Sequence, residues 1–297
     1  MHKIISLLLL FSSFLFWSCN NKDAETQTKV VLSSVSLEAL TYNLVENTGF
    51  SQIHRIGGAQ GTCDHDRSLS VHDFKEICAA KIVLHNGEEF ITEALAKCSQ
   101  VTSVNVVDKY DSLRYFASGE ADMHLWFSPR ALSFMVENIF KALSENLALD
   151  TLVLQENLAK TLQNIEKLQA SLSQLSLRTQ EKNVAMFHEA YGYLLRELGM
   201  SLSISWGGNE MAPPSAKELA NWIKKVESDS VAFIFASPED AHSQAFTVAQ
   251  ATGIPVLTLN LLTEEWEALQ KPSWEVWAGK YLENLRFIEA ALDGESP

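Results

Sequence analysis

The side chains best equipped for chemistry in this sequence of 297 residues are three of its eight histidines. His65 stands between carboxylates in Asp64-His65-Asp66, and His124 lies in Asp122-Met123-His124-Leu125-Trp126-Phe127-Ser128-Pro129. His188 lies in Phe187-His188-Glu189-Ala190-Tyr191-Gly192-Tyr193. Imidazole is the commonest metal-ligating side chain and titrates near neutral pH. The three are 59 and 64 residues apart, so no local motif unites them and only a fold could do so. Taken singly, each is more often a surface or hydrogen-bonded core histidine than a ligand. Neither His-Glu-x-x-His nor Gly-x-Ser-x-Gly occurs, and no two cysteines have Cys-x-x-Cys spacing. The first two absences remove common hydrolase signatures, and the third excludes a four-cysteine zinc knuckle or thioredoxin-like site.

The elements that must position these residues alternate along the chain. Strands are expected at 29–35, 81–85, 104–107, 201–206, 231–236 and 255–259, and helices at 37–48, 71–80, 89–97, 131–144, 184–198, 215–228, 238–253 and 274–292. Short apolar strands separated by helices of this length indicate parallel βα units, hence an α/β fold. His124 then falls in a loop before a helix, and His188 near the start of one. From Leu147 to about Gln180 there is no Gly or Pro, and Leu158, Leu162, Ile165, Leu168, Leu172 and Leu175 form one helical stripe. At 1.5 Å per residue that helix would be roughly 50 Å long, a strut joining two α/β lobes. A self-associating coiled coil is the competing reading, disfavoured because the polar face lacks regular complementary charges.

Lys and Arg number 23 and Asp and Glu 37, for a formal charge of −14. That balance argues against duplex nucleic acid or anionic lipid as the main partner, and the 46% hydrophobic and 20% charged content is that of a globular protein. The N-terminus has a positive start at His2-Lys3, an apolar run from Ile4 to Trp17, and then Ser18-Cys19. The run is too short for a comfortable bilayer span of about 20 residues and has the order of a secretory signal. With the polar stretch Asn20 to Gln27 after it, the segment resembles a bacterial lipobox, in which Cys19 becomes the acylated first residue. An ordinary signal with an incidental cysteine is the alternative, since Phe16-Trp17 is atypical of a lipobox. Export leaves Cys63, Cys78 and Cys98, an odd number that allows one disulfide and one spare thiol. Cys78 and Cys98 fall on helical stretches and could equally be small core residues.

With these segments in order, the chain resembles the metal-binding solute-binding lipoproteins of zinc and manganese ABC importers. The likeness covers nearly all of the mature chain. The run His65 to Glu89 is similar to the family's first-ligand segment, in which Pro-His-Asp precedes a helix, an apolar strand, Gly and Glu. His124, with Asp122, Trp126 and Pro129, matches its Asp-Pro-His-x-Trp-x-x-Pro. His188, with Ala190 and Tyr193, matches its His-Asp-Ala-Phe-x-Tyr, and Trp206 to Leu219 resembles a further loop, with Glu210, Pro214 and Ser215 in place.

The resemblance implies a cleft between two lobes in which His65, His124 and His188 bind one divalent cation. It also implies a monomer that delivers the ion to an ABC permease, held at the membrane by its lipid anchor. Three imidazoles and one oxygen suit tetrahedral Zn²⁺; Mn²⁺ members of the family commonly replace one His by a carboxylate, so Mn²⁺ or Fe is the alternative. Asp122 is placed to accept the remaining N–H of a ligand imidazole, and Trp126 to pack beneath the site. His85 could lend support near the cleft, and Cys63 could serve as a soft ligand or a loop thiol. His54, His72 and His242 read as surface residues. The expected organisation is a signal (1–18), a tether (19–28), an N-terminal lobe (29–145), a linking helix (146–182) and a C-terminal lobe (183–297).

The sequence departs from the family at several points. Asp64 and Met123 replace prolines, and Glu189 replaces an Asp. The late loop Pro255 to Glu264 contains no Asp, which leaves the fourth ligand open among water, Glu239, Asn260 and Glu264. Nothing between His85 and His124 contains a His, so the His-rich loop of many zinc members is missing. A zinc hydrolase and an adhesin lipoprotein are the other classes to be weighed.

Overall fold

The computed structural model describes residues 30–56, 69–187, 189–205, 215–238, 244–263 and 273–295. Its first sheet contains β1 (Val30–Leu32), β2 (Ile53–Arg55), β3 (Ile82–His85) and β4 (Thr102–Asn105) in the order β2-β1-β3-β4. The second contains β5 (Asn183–Met186), β6 (Ser201–Ser205), β7 (Val231–Ala236) and β8 (Val256–Thr258) in the order β6-β5-β7-β8. All pairings are parallel. The two sheets therefore repeat one topology, with the second strand of each set at an edge. β1 and β3 are wholly buried and, but for His85 at the end of β3, apolar, as suits strands covered on both faces.

The connecting helices are α1 (Val35–Leu44), α2 (Val71–Ala79), α3 (Glu89–Leu95), α4 (Pro129–Asn146), α5 (Thr151–Thr179), α6 (Gly192–Leu198), α7 (Ala216–Ser228), α8 (Gln244–Thr252) and α9 (Trp274–Leu292). Their starts follow local capping chemistry. Ser128 caps α4 with Pro129 in its first turn, and Asp150 accepts the N–H groups of Leu152 and Val153 at the head of α5. Ser70 with Asp73, and Ser215 with Glu218, form capping boxes. The cap at Asp150 starts the long helix later than the absence of Gly and Pro suggested. At 29 residues it is about 44 Å long.

α5 packs against α1 and α4 at one end and α6 and α9 at the other. Its stripe of Ile165, Leu168, Leu172 and Leu175 is buried in the largest apolar cluster, with Leu158 and Leu162 packed against it, so the face a coiled coil would use is covered from within the chain. α9 packs on β8 and α5 and also reaches α1, making a second bridge between the halves. The two halves also meet directly. Tyr281 Oη donates to the carbonyl of Phe127 (2.7 Å), Trp126 Nε1 to that of Leu261 (2.9 Å), and Ser128 Oγ to Glu197 (2.6 Å).

Three expectations need correction. The stretch 184–198 is not one helix: Asn183–Met186 is β5 and only Gly192–Leu198 is helical. A short apolar run has no periodicity that separates strand from helix, and burial between β6 and β7 decides for strand. The first helix begins at Val35 rather than Leu37, because Ser34 already caps it. β2, a three-residue edge strand, was not anticipated. Cys78 and Cys98 are joined in a disulfide that ties the ends of α2 and α3; closing a loop of 20 residues restricts the unfolded chain by about 3 kcal/mol. Among the described residues no helix is long and apolar enough to cross a membrane.

Candidate metal centre

In a parallel α/β sheet ligands bind beyond the carboxyl ends of the strands. Each sequence-predicted site residue lies in a segment that leaves such an end. By chain order His65 follows β2, His124 follows β4, His188 follows β5, Glu239 follows β7, and Asn260 and Glu264 follow β8. His65, His188, Glu239 and Glu264 lie outside the described residues, as do Cys19, Cys63, Glu210, Pro214 and His242. Among the described residues no three His, Cys, Asp or Glu side chains converge.

His124 is the candidate ligand whose surroundings are defined. Only 3% of it is exposed, and it precedes a 3₁₀ turn at Leu125–Phe127. Asp122 Oδ1 accepts both its Nδ1–H (2.8 Å) and its main-chain N–H (3.0 Å). A carboxylate can only accept, so a neutral ring carries its proton on Nδ1 and its acceptor lone pair on Nε2. Trp126 sits edge-on to the ring, with centroids 5.3 Å apart, and Phe116 borders it at 6.3 Å. Trp126 packs beneath the histidine as expected, and its indole N–H also ties the site to the loop after β8.

Asp122 is fully buried, and its second oxygen takes Arg114 Nη1 at 2.7 Å. Tyr193 Oη, on α6, accepts the N–H of Arg114 (2.9 Å) and donates to the carbonyl of Asp122 (3.0 Å). Burial pushes the Tyr193 hydroxyl up to about 12, so it remains a donor at neutral pH. Tyr193 is also flanked by the guanidinium groups of Arg114 and Arg196. A Cβ at Gly192 would lie 1.1 Å from Arg114 Nη1, so any larger residue there would have to push the guanidinium from its place on Asp122.

Beside this assembly, Asn260 Oδ1 accepts the N–H of Leu262 (2.6 Å). Asn284 of α9 holds the Asn260 main chain from both sides, accepting its N–H (2.7 Å) and donating to its carbonyl (2.8 Å). Glu189, the neighbour of His188, accepts from Ser205 Oγ at 2.7 Å. His85 faces other duties: its Nδ1 accepts the N–H of Gly87 (3.0 Å), so Nε2–H donates to Ser103 on β4 (2.9 Å). His54 is half-buried beside Asp73 (3.6 Å) rather than on the surface. Arg114, Gly192 and Asn284 were not singled out from the sequence. Arg114 sits eight residues before Asp122 in an irregular stretch, and no pattern marks it.

Two parallel sheets of one topology, a long helix spanning both, and a buried histidine whose neighbour Trp126 bonds across to the loop after β8 define a two-lobed α/β protein with a candidate site where the halves meet. The chain belongs to the family described as zinc-uptake complex component A, periplasmic, which it matches over residues 58–291. It is 23% identical over 315 residues to the zinc-binding lipoprotein AdcA of Streptococcus pneumoniae, covering 99% of this chain but 62% of that protein's length. The same fold is seen in FpvC of Pseudomonas aeruginosa in complex with Ni²⁺, with a TM-score of 0.75, 18% identity, and coverage of 90% of this chain and 97% of that one. It is seen again in Zn(II)-bound AdcA of S. pneumoniae, with a TM-score of 0.74, 22% identity, and coverage of 91% and 59%.

Proposed function

We propose that this protein is an extracytoplasmic receptor that captures Zn²⁺ and passes it to an ABC permease. In this reading His65, His124 and His188 hold the ion, with a fourth oxygen from water, Glu239, Asn260 or Glu264, and the protein is not an enzyme. Cys19 is its lipid attachment point. The tether is 19–28, and the lobes 29–145 and 183–297 are joined by the linking segment 146–182. The observation that carries the reading is the Asp122–His124 pair: a buried imidazole fixed at Nδ1 by a carboxylate is the usual arrangement of a metal-ligating histidine. Family membership and the zinc-binding names of its relatives support the choice of ion. The Cys78–Cys98 disulfide agrees with an oxidising compartment. Among the four oxygen candidates Asn260 is the least suited, since Leu262 already engages its side-chain oxygen.

Competition calorimetry of Zn²⁺ against Mn²⁺ on metal-free protein tests this. One Zn²⁺ should bind per chain, more tightly than Mn²⁺, with a large loss of affinity in His65→Ala, His124→Ala and His188→Ala. Ligand imidazoles must be deprotonated, so affinity should fall as the pH drops below about 6.5. Equal affinity for the two ions would overturn the choice of zinc. Unchanged binding in the His188→Ala variant would overturn the ligand set, and zinc-dependent hydrolysis of an ester, peptide or phosphate would overturn the receptor reading.

A further inference from the structure

We propose that Arg114 is a positioning residue that locks His124 to the opposite lobe and thereby sets how long a bound Zn²⁺ is retained. The inference rests on the reading of His124 as a ligand. The chain Arg114–Asp122–His124 runs through the two oxygens of one carboxylate: Oδ2 takes the guanidinium at 2.7 Å and Oδ1 takes the imidazole at 2.8 Å. Without the cation, Asp122 would be a buried carboxylate held at Oδ2 by no charge, and its hold on the ring would slacken.

The other side of Arg114 belongs to the second lobe. Its guanidinium lies against Gly192 so closely that a Cβ there would fall 1.1 Å from Nη1, 2.1 Å from Cζ and 2.5 Å from Nη2. Its main-chain N–H donates to Tyr193 Oη, which itself donates to the Asp122 carbonyl. Nearby, Arg196 of α6 donates to the carbonyl of Ser112 (2.8 Å). Gly192 opens α6 four residues after His188, in the same β5–α6 connection. One side chain therefore touches the carboxylate that orients a ligand from one lobe and the segment that carries a ligand from the other. For the ion to leave, either the His124 ring must swing away or the two segments must part, and Arg114 opposes both.

The test uses the full chain, with Zn²⁺ as the probe and capture by a chromogenic chelator as the readout of release. In Arg114→Gln the dissociation rate should rise about tenfold or more, with the association rate little changed. Nitrogen NMR of the His124 ring in metal-free protein should change from one Nδ1–H tautomer to a mixture, and Arg114→Lys, which keeps the charge, should recover the single tautomer. Gly192→Ala should speed release in the parent chain and do nothing in an Arg114→Ala background, where the space is vacant; coupling of this kind marks a contact rather than general destabilisation. If Arg114→Gln fails to fold, the Gly192→Ala pair carries the test. Parental release rate and tautomer in folded Arg114→Gln, or additive effects in the pair, would overturn the latch while leaving the receptor reading intact. A parent chain that retains no Zn²⁺ would overturn both.

Discussion

His85 shows how little a histidine's type reveals about its task. It ends β3 near the strand ends that face the candidate site, yet both ring nitrogens are occupied by Gly87 and Ser103. Burial pushes its pKa down to about 4, below the 6.5 of an unfolded chain. Above pH 6.5 both states carry a neutral ring and its contribution to stability is complete. As the pH falls, the unfolded chain takes up a proton that the folded one refuses, so stability declines through this window and the contribution is lost near pH 4. The full effect is about 3 kcal/mol at 1.36 kcal/mol per pKa unit. Urea midpoints measured from pH 7 to 4 should show this slope, and His85→Gln should lack roughly one proton's worth of it. An identical slope in the variant would mean that other groups cause the acid sensitivity.

At the scale of elements, the strut is held by polar contacts that hydrophobic periodicity could not reveal. The buried face of α5 runs Leu154, Asn157, Thr161, Ile165, Leu168, Leu172, Leu175 and Thr179, so the stripe was legible in its aliphatic middle and invisible at its polar ends. Asn157 Nδ2 donates to the carbonyls of Leu44 (2.8 Å) and Glu46 (2.7 Å), finishing α1, and Thr161 is bonded to Asn43. Thr179 donates to the Leu198 carbonyl at the far end (2.7 Å). Asn157→Ala should therefore cost about 1–3 kcal/mol of stability, because the carbonyls it serves lose their partner inside the protein. The neighbouring exposed Glu156→Ala should change stability by less than about 0.5 kcal/mol, and equal effects in a denaturation series would refute the special role of Asn157. The terminal helix Trp274–Leu292 was legible to the residue, and in the structure Ser273 caps its start. β5 was not, because the three apolar residues after Asn183 fit either structure until their neighbours are known.

For the whole molecule, the sequence carried the parallel α/β class and the strut, but not the contacts that join the lobes. Those contacts pair residues far apart in the chain, such as Tyr281 with Phe127, Trp126 with Leu261 and Arg114 with Tyr193, and no local pattern encodes them. The candidate ligands were legible only through residues with recognisable neighbours; the carboxylate that orients His124 lay within that motif, whereas its guanidinium partner did not. Because α5 and α9 both span the halves and buried bonds cross between them, wide hinge opening would break many contacts at once. Metal uptake should then proceed by small local rearrangement rather than by domain closure. Zinc should stabilise the fold by mass action, by about 2.7 kcal/mol when free ion reaches 100 times its dissociation constant, so the melting temperature should climb with zinc concentration and fall again on chelation. The radius of gyration from small-angle scattering should meanwhile be the same for metal-free and zinc-loaded protein. A clear contraction on loading would show that the lobes hinge, and that the bridges formed by α5, α9 and the buried bonds do not restrain them.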